Sequence, residues 1–278
     1  MKVKFISYAD GNMTYSLRRI GRQARRLGIF DEVILYTPDM LPAYIRQSPL
    51  MQYPRGGGYW SWKPAIINET LQHSEDGDVV VYVDAGCTLR KGKNAEWNLF
   101  IRLLQKYDTV CFQYDESQPQ WEKWGSKSSK IKYWSKKSTQ DYFVEQFGDD
   151  SFLEEGHIMG GILFIKNKRN SFLRNWLDIV LNHPELILDP TPEEAAAQPA
   201  GFAGHRHDQS VITPLALNDP TVIVLPEIIE KEEYDGFIWA SRIRARHIGQ
   251  CWAFHIKHFF RRLLGAHVFE SVKRLIKK

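Results

Sequence analysis

Cysteine is scarce in this sequence: Cys87, Cys111 and Cys251 are its only three, widely spaced and without a Cys-x-x-Cys pair. An odd, scattered set builds neither a disulfide framework nor a zinc knuckle, and a reducing compartment is the expected setting. Long apolar runs are missing too. No segment offers about 18 or more uninterrupted apolar residues, so no membrane-spanning helix is expected. The opening Met1-Lys2-Val3-Lys4-Phe5-Ile6 enters a strand pattern without the apolar stretch of a signal peptide, and the expected location is cytoplasmic. No self-similarity at a period of about 20 to 50 residues is visible, which excludes solenoids and propellers. Neither sign of charge dominates, with 37 Lys and Arg against 33 Asp and Glu and a formal net charge of +4. The basic residues accompany no recognisable nucleic-acid module, so nucleic acid is not an expected partner.

What is present is an ordinary globular composition, 43% apolar and 25% charged, outside the disordered class. At 278 residues one core suffices, because single cores stop growing near about 250–300 residues. Short apolar runs alternate with helical patterns, the sign of strand–helix–strand units that build a mostly parallel sheet flanked by helices. Strands are expected at 3–8, 33–36, 79–83, 109–113 and 162–166. Helices are expected at 15–27, ended by Gly28, then after Pro64, at 97–107 and 172–181, and from near Asp208 to 217. The fold class is therefore α/β, with one domain over 1–255 and a C-terminal segment over 256–278.

In open α/β sheets ligands bind beyond the carboxyl ends of the strands. The residue closing the most apolar strand is Asp84. In Tyr82-Val83-Asp84-Ala85-Gly86-Cys87 it is followed by two residues small enough for a bulky ligand to approach the backbone; an ordinary turn aspartate is the plain alternative. Arg55-Gly56-Gly57-Gly58-Tyr59-Trp60-Ser61-Trp62-Lys63-Pro64 combines a sharp turn, flat faces for a base or sugar ring, and a lysine at a helix N-terminus that favours anions. A core-packing aromatic turn explains the same residues without a ligand. Met159, Gly160 and Gly161 precede an apolar strand. Gly204-His205-Arg206-His207-Asp208-Gln209-Ser210 opens a helix, with Asp208 either its N-cap or a base for a substrate hydroxyl. Near the end, His247 offers an imidazole suited to a first-row divalent ion.

Taken in order, these segments resemble the GT-A glycosyltransferases, especially those of bacterial polysaccharide, capsule or lipopolysaccharide biosynthesis. The strand ending in Asp84-Ala85-Gly86 is similar to their Asp-x-Asp segment, whose acids hold a divalent metal and the donor's ribose and diphosphate; Gly86 stands where the second Asp belongs. The resemblance implies a single GT-A, Rossmann-like domain, a nucleotide-diphosphate sugar as donor substrate, and a glycan or lipid-linked glycan as acceptor. It implies donor contacts from Ser7, Tyr8, Asp10, Arg55, Trp60, Lys63, Asp84, Ala85 and Gly86. Met159, Gly160, Gly161, His207 and Gln209 would face the acceptor, Asp208 would be catalytic, and Asp84 with His247 would hold Mn or Mg. Without a carboxylate at position 86, the positive charge a departing diphosphate needs comes from a metal with fewer protein ligands or from Lys or Arg. Asp84-Ala85-Gly86-Cys87-Thr88 also fits the nucleophile loop of haloacid-dehalogenase-like phosphatases and the phosphate loop of sugar kinases, and a non-catalytic carbohydrate-binding protein is a third reading.

Two further segments carry expectations. The stretch 116–138 reads as a long surface loop whose Trp121, Trp124, Tyr133 and Trp134 close over the site and stack on an acceptor sugar. In the tail, Phe260, Leu264, Val268, Val272 and Ile276 recur every four residues, amid Lys257, Arg261, Arg262, Lys273, Arg274, Lys277 and Lys278 and the single acid Glu270. This pattern predicts a basic amphipathic helix, suited to the inner surface of an anionic membrane, to the protein's own core or to a partner subunit.

Overall fold

The computed structural model describes residues 1–116, 126, 128–227, 229–230 and 235–264. Its strands are β1 (Val3–Tyr8), β2 (Glu32–Tyr36), β3 (Val79–Val83), β4 (Thr88–Leu89), β5 (Thr109–Gln113), β6 (Ile162–Lys166), β7 (Val222–Pro226) and β8 (Ile238–Trp239). The longer helices are α1 (Thr14–Leu27), α2 (Trp62–Gln72), α3 (Asn94–Leu103), α4 (Lys137–Phe147), α5 (Ser171–Asn182), α6 (Asp208–Leu217) and α7 (Ile248–Leu264).

The central sheet has the order β2-β1-β3-β6-β5-β7, and β4 pairs with β8 in a small second sheet. β6 runs antiparallel to both its neighbours, β3 and β5, and the other pairings are parallel. The sheet is thus mostly parallel, as the alternation of patterns predicts. All five residues of β3, four of them valine, are buried, as a central strand covered on both faces requires. α1 packs on β1 and β2, while α2 and α6 pack on α5. Gly28 closes α1 in the left-handed conformation, φ 67°. Phe100 of α3 meets Phe164 of β6 and Phe112 of β5 at 5.1 and 5.5 Å between ring centres. Because β6 is reversed, its start lies beside the end of β3, with Val83 paired to Ile162. The ends of β1 and β3 and the approach to β6 therefore share one edge.

The reading of 116–138 as a surface loop needs correction. Residues 117–125 and 127, with Trp121 and Trp124, lie outside the described residues. Of the rest, Ile131, Trp134, Ser135 and Lys136 are buried, and α4 starts at Lys137. Trp134 cannot stack on an acceptor: its ring is in the core, its Nε1 donates to the Ser128 carbonyl at 2.7 Å, and the Arg206 guanidinium lies over it at 4.1 Å. The 97–107 helix runs instead from Asn94 to Leu103, and the C-terminal helix begins at Ile248, ahead of the boundary drawn at 256. On α7, Cys251 is buried in a cluster with Ile243 and Ala245, and Phe254 packs against it. Ile248, Trp252, Ile256, Phe259, Phe260 and Leu263 are exposed. Among the described residues no helix is long and apolar enough to cross a membrane.

Two histidines are sealed behind this edge. His157 bonds through Nδ1 to the Ser129 carbonyl at 2.8 Å and lies against the rings of Tyr114 and Trp134. Nδ1 of His205 accepts from the Lys136 amide, so its Nε2–H donates to the Leu186 carbonyl. Burial lowers His157 from 6.5 to about 3 and His205 well below its ordinary value. Stability held by a group with a depressed pKa is complete above about pH 6.5 and is lost as pH falls toward 3, at about 1.4 kcal/mol per pH unit for each group. The melting temperature is expected to drop between pH 6.5 and 4, with part of that slope absent in His157→Gln. An identical slope in the variant would mean that His157 is not held neutral.

Candidate active site

Period-two alternation puts Tyr82 and Asp84 on the same face of the chain at the end of β3. Tyr82 is buried, and its hydroxyl donates to Asp84 Oδ1 at 2.5 Å. The Asp84 amide donates to the Gly161 carbonyl at 2.8 Å, fastening the strand end to the approach of β6. Lys63, in the first turn of α2, is 3% exposed. Its Nζ donates to Asp208 Oδ2 at 2.6 Å and to the Gly160 carbonyl at 2.9 Å, and stands 3.9 Å from Asp84 Oδ1. The rings of Trp60 and Tyr82 face the same ammonium at 5.9 and 5.7 Å.

These contacts set the charges. Burial works to strip Lys63 of its proton, but Asp208 and Asp84 outweigh it and raise its pKa. Burial raises Tyr82 well above its usual value, so it remains a donor. Asp84 is also raised, first by the protein packed around it and then by Asp208, against the pull of Lys63, Tyr82 and Arg242. Its side chain nevertheless keeps 45% of its surface open, whereas that of Asp208 keeps 7%. Of the two carboxylates, Asp84 is the one a ligand can reach.

The glycine pair has a steric cause. A Cβ on Gly160 would lie 2.8 Å from Asp208 Oδ2 and 3.3 Å from Lys63 Nζ, and one on Gly161 would lie 2.9 Å from Asp84 Oδ2. The aromatic turn is left-handed from Gly56 through Trp60, including the non-glycine residues Tyr59 (φ 54°) and Trp60 (φ 59°). Trp60 lies near Lys63 and the His207 ring, while Trp62 stacks on Tyr8 at 3.9 Å.

Tyr8, Trp60, Lys63, Asp84, Gly160, Gly161, His207 and Asp208 thus lie close together, with Met159 buried behind them and Gln209 in the first turn of α6. Others are placed differently. Asp208 is not an N-cap: it is the first residue of α6, behind His207, and its carboxylate goes to Lys63. Ser7 is fully buried and cannot touch a nucleotide. Asp10 folds back on the Asn12 amide at 2.8 Å. Arg55 pairs with Asp189 at 3.1 Å, and Asp189 also receives the Tyr59 hydroxyl. The Ala85 side chain packs with Ala9 and Leu17, and the Ala85 carbonyl receives Arg19. His207 gives Nδ1 to the Ile187 carbonyl and is held below its ordinary pKa by burial. His247 is exposed ahead of α7, its ring beside Gly249. Its neighbour Arg246 bonds the Asn12 side chain and accepts from Thr14.

A divalent ion finds a poor donor set here. Asp84 Oδ1 already accepts from Tyr82, Asp208 is bound to Lys63, and the Gly86 carbonyl accepts from Ser241 Oγ and the Ile243 amide, each at 2.9 Å. Among the described residues no three His, Cys, Asp or Glu side chains gather as a metal site. Mn or Mg does not fit these residues.

Sequence reasoning missed Tyr82 and Arg242. Tyr82 was legible from the alternation. Arg242 carries no local signal, since it arrives through the pairing of β4 with β8. Its backbone lies against Gly86 in the left-handed region (φ 55°), and its guanidinium bonds Glu230 Oε1 at 2.5 Å. The same oxygen accepts from the Tyr114 hydroxyl at 2.6 Å. A separate hollow of about 470 Å³, lined by Tyr44, Leu50, Tyr53, Leu181 and Pro184 among others, contains no charged side chain.

No protein-family model and no curated protein matches the chain. Similar solved structures include the apo form of mouse xyloside xylosyltransferase 1, 12% identical over 81% of this chain and 85% of that one, TM-score 0.40. A glycosyltransferase involved in the glycosylation of the major capsid of PBCV-1 is 10% identical over 92% and 100%, TM-score 0.45. Galactosyltransferase LgtC in complex with donor and acceptor sugar analogs is 14% identical over 80% and 72%, TM-score 0.37.

The Lys63–Asp208 pair has a measurable signature. Lys63→Met leaves a buried carboxylate without its cation, at an expected loss of about 3–5 kcal/mol in urea unfolding, and Asp208→Leu strands the ammonium at a similar loss. The double variant Lys63→Met/Asp208→Leu should lose clearly less than the sum of the two. Strict additivity would show that the two groups do not depend on each other.

Proposed function

We propose that the chain is a GT-A type glycosyltransferase that moves a sugar from a nucleoside-diphosphate sugar to a hydroxyl of a glycan or lipid-linked glycan. The observation that carries the reading is Asp84: a half-open carboxylate at the end of the central strand, aimed by Tyr82 and Lys63, with glycines clearing the space beside it.

The donor lies across the ends of β1 and β3. Asp84 accepts hydrogen bonds from ribose or sugar hydroxyls, and the Tyr8–Trp62 stack and Trp60 offer apolar faces to the base or the sugar. Asp208 is a positioning residue: it holds Lys63, which in turn fixes Asp84. Met159, the glycine pair and Gln209 border the acceptor. A phosphatase of the haloacid-dehalogenase type needs a second acid two residues after its nucleophile, and that position is Gly86.

The exposed stripe of α7, with Lys257 and Arg261 on the same helix, supports contact with an anionic membrane surface, which would bring a lipid-linked acceptor to the site. On this reading the enzyme works at the cytoplasmic side of the inner membrane.

Nucleotide sugars are expected to raise the melting temperature of the wild type, one of them more than the rest, and Asp84→Asn should weaken its binding about tenfold or more. A melting temperature moved by ATP or a phosphomonoester and by no nucleotide sugar would sink the assignment.

The wild type should also co-sediment with phosphatidylglycerol vesicles, and Phe259→Glu/Leu263→Glu should stay in the supernatant. Equal pelleting of both would remove the membrane contact.

A further inference from the structure

Building on the glycosyltransferase reading, we infer that Arg242 takes the place of the divalent cation: it neutralises the donor diphosphate, so the site binds a nucleotide sugar without a metal.

A Cβ on Gly86 would meet Arg242 Cα at 3.4 Å and Ile243 N at 3.5 Å, ordinary contact distances, and Gly86 is not among the glycines with positive φ. Backbone geometry does not demand glycine at this position. What replaces an acid is the adjacent chain: Ser241 and Ile243 both bond the Gly86 carbonyl, and Arg242 sits between them. A non-glycine residue at φ 55° is strained by about 1–2 kcal/mol, and here the two flanking bonds hold it in place.

The side chain so placed is suited to phosphate. Arg242 keeps 54% of its side-chain surface open, while Glu230, which grips it, keeps only 7% and is braced by Tyr114. The guanidinium is therefore pre-positioned while about half of the side chain stays open. It is planar, permanently charged, and matches phosphate oxygens two at a time. Its backbone lies against Gly86, two residues after Asp84, which places both residues on the same edge. Lys63 cannot serve instead, because its side chain is 4% exposed and bound to Asp208 and Gly160.

In the transfer, the bond between the anomeric carbon and the diphosphate oxygen breaks and its electron pair stays on that oxygen, beside Arg242. The acceptor oxygen bonds to the anomeric carbon, and its proton leaves with the nucleoside diphosphate. Arg242 supplies the charge stabilisation that a metal supplies elsewhere.

The test is calorimetry on the full chain with UDP, GDP, ADP, CDP and dTDP and their monophosphates, in EDTA and in manganese chloride. The preferred diphosphate should bind the wild type equally in both, within about twofold. Arg242→Ala should weaken it roughly 10- to 100-fold while changing the monophosphate less than about threefold, and Arg242→Lys should fall between. Binding that appears only with manganese, or an Arg242→Ala loss equal for mono- and diphosphate, overturns the role of Arg242 and leaves the glycosyltransferase reading standing. Failure of every nucleotide to bind the wild type in either condition overturns that reading, and the role of Arg242 with it. The wild-type arm decides the metal question even if Arg242→Ala does not fold.

Discussion

A buried ammonium can keep its charge only where carboxylates and carbonyls replace its water. Lys63 meets that condition by joining four parts of the chain: its own helix, the end of β3 through Asp84, the approach to β6 through Gly160, and the start of α6 through Asp208. Apart from α2 and β3, which follow one another, these segments lie far apart in sequence. The ammonium therefore fixes where strand ends and helix starts lie relative to one another, and the direction in which Asp84 opens follows from it.

Across the edge the same design recurs with the open and sealed partners exchanged. In one network a buried tyrosine hydroxyl donates to Asp84, and the cation beside it is Lys63. In the other, Tyr114 donates to Glu230, and the cation is Arg242. Burial keeps both phenols protonated, so both remain donors. The difference lies in which partner is open. Lys63 is sealed and Asp84 exposed; Glu230 is sealed and Arg242 exposed. The edge thus presents one fixed acceptor and one fixed cation, a combination that complements a ligand carrying both hydroxyls and phosphate.

The parts legible in the sequence are those in which a local pattern and the fold agree. Val79–Val83 could only be a covered strand, and Thr14–Leu27 with Gly28 behind it could only be a helix with its stop. Asp84 and Lys63 were found because they sit at element ends, where α/β folds expose polar groups. The two-residue strands β4 and β8 were not legible, since neither is long enough to show a period, and Arg242 depends on their pairing. Polar composition misled between 116 and 138, where Lys136 is buried against the distant His205 and Glu194 and Ser135 is buried beside it. That Asp208 is not a cap was equally hidden: a helix-opening aspartate resembles one until its distant partner, Lys63, is known.

The distribution of backbone strain bears on whether this edge is a site or merely well packed. Among the described residues, the non-glycine positions with positive φ are Tyr59, Trp60, Asn167, His207 and Arg242. All but Asn167 belong to the segments around Lys63, Asp84 and Gly86. At about 1–2 kcal/mol each, the four together cost roughly 4–8 kcal/mol, comparable with the whole stability of an ordinary domain, about 5–15 kcal/mol. A turn that only packed a core would gain by relaxing to the right-handed conformation. Here the strained residues include Trp60, whose ring faces Lys63, His207, which directly precedes Asp208, and Arg242, whose backbone lies against Gly86. The cost falls on the residues that set the positions of charges and rings, which is where pre-organisation for a ligand requires it.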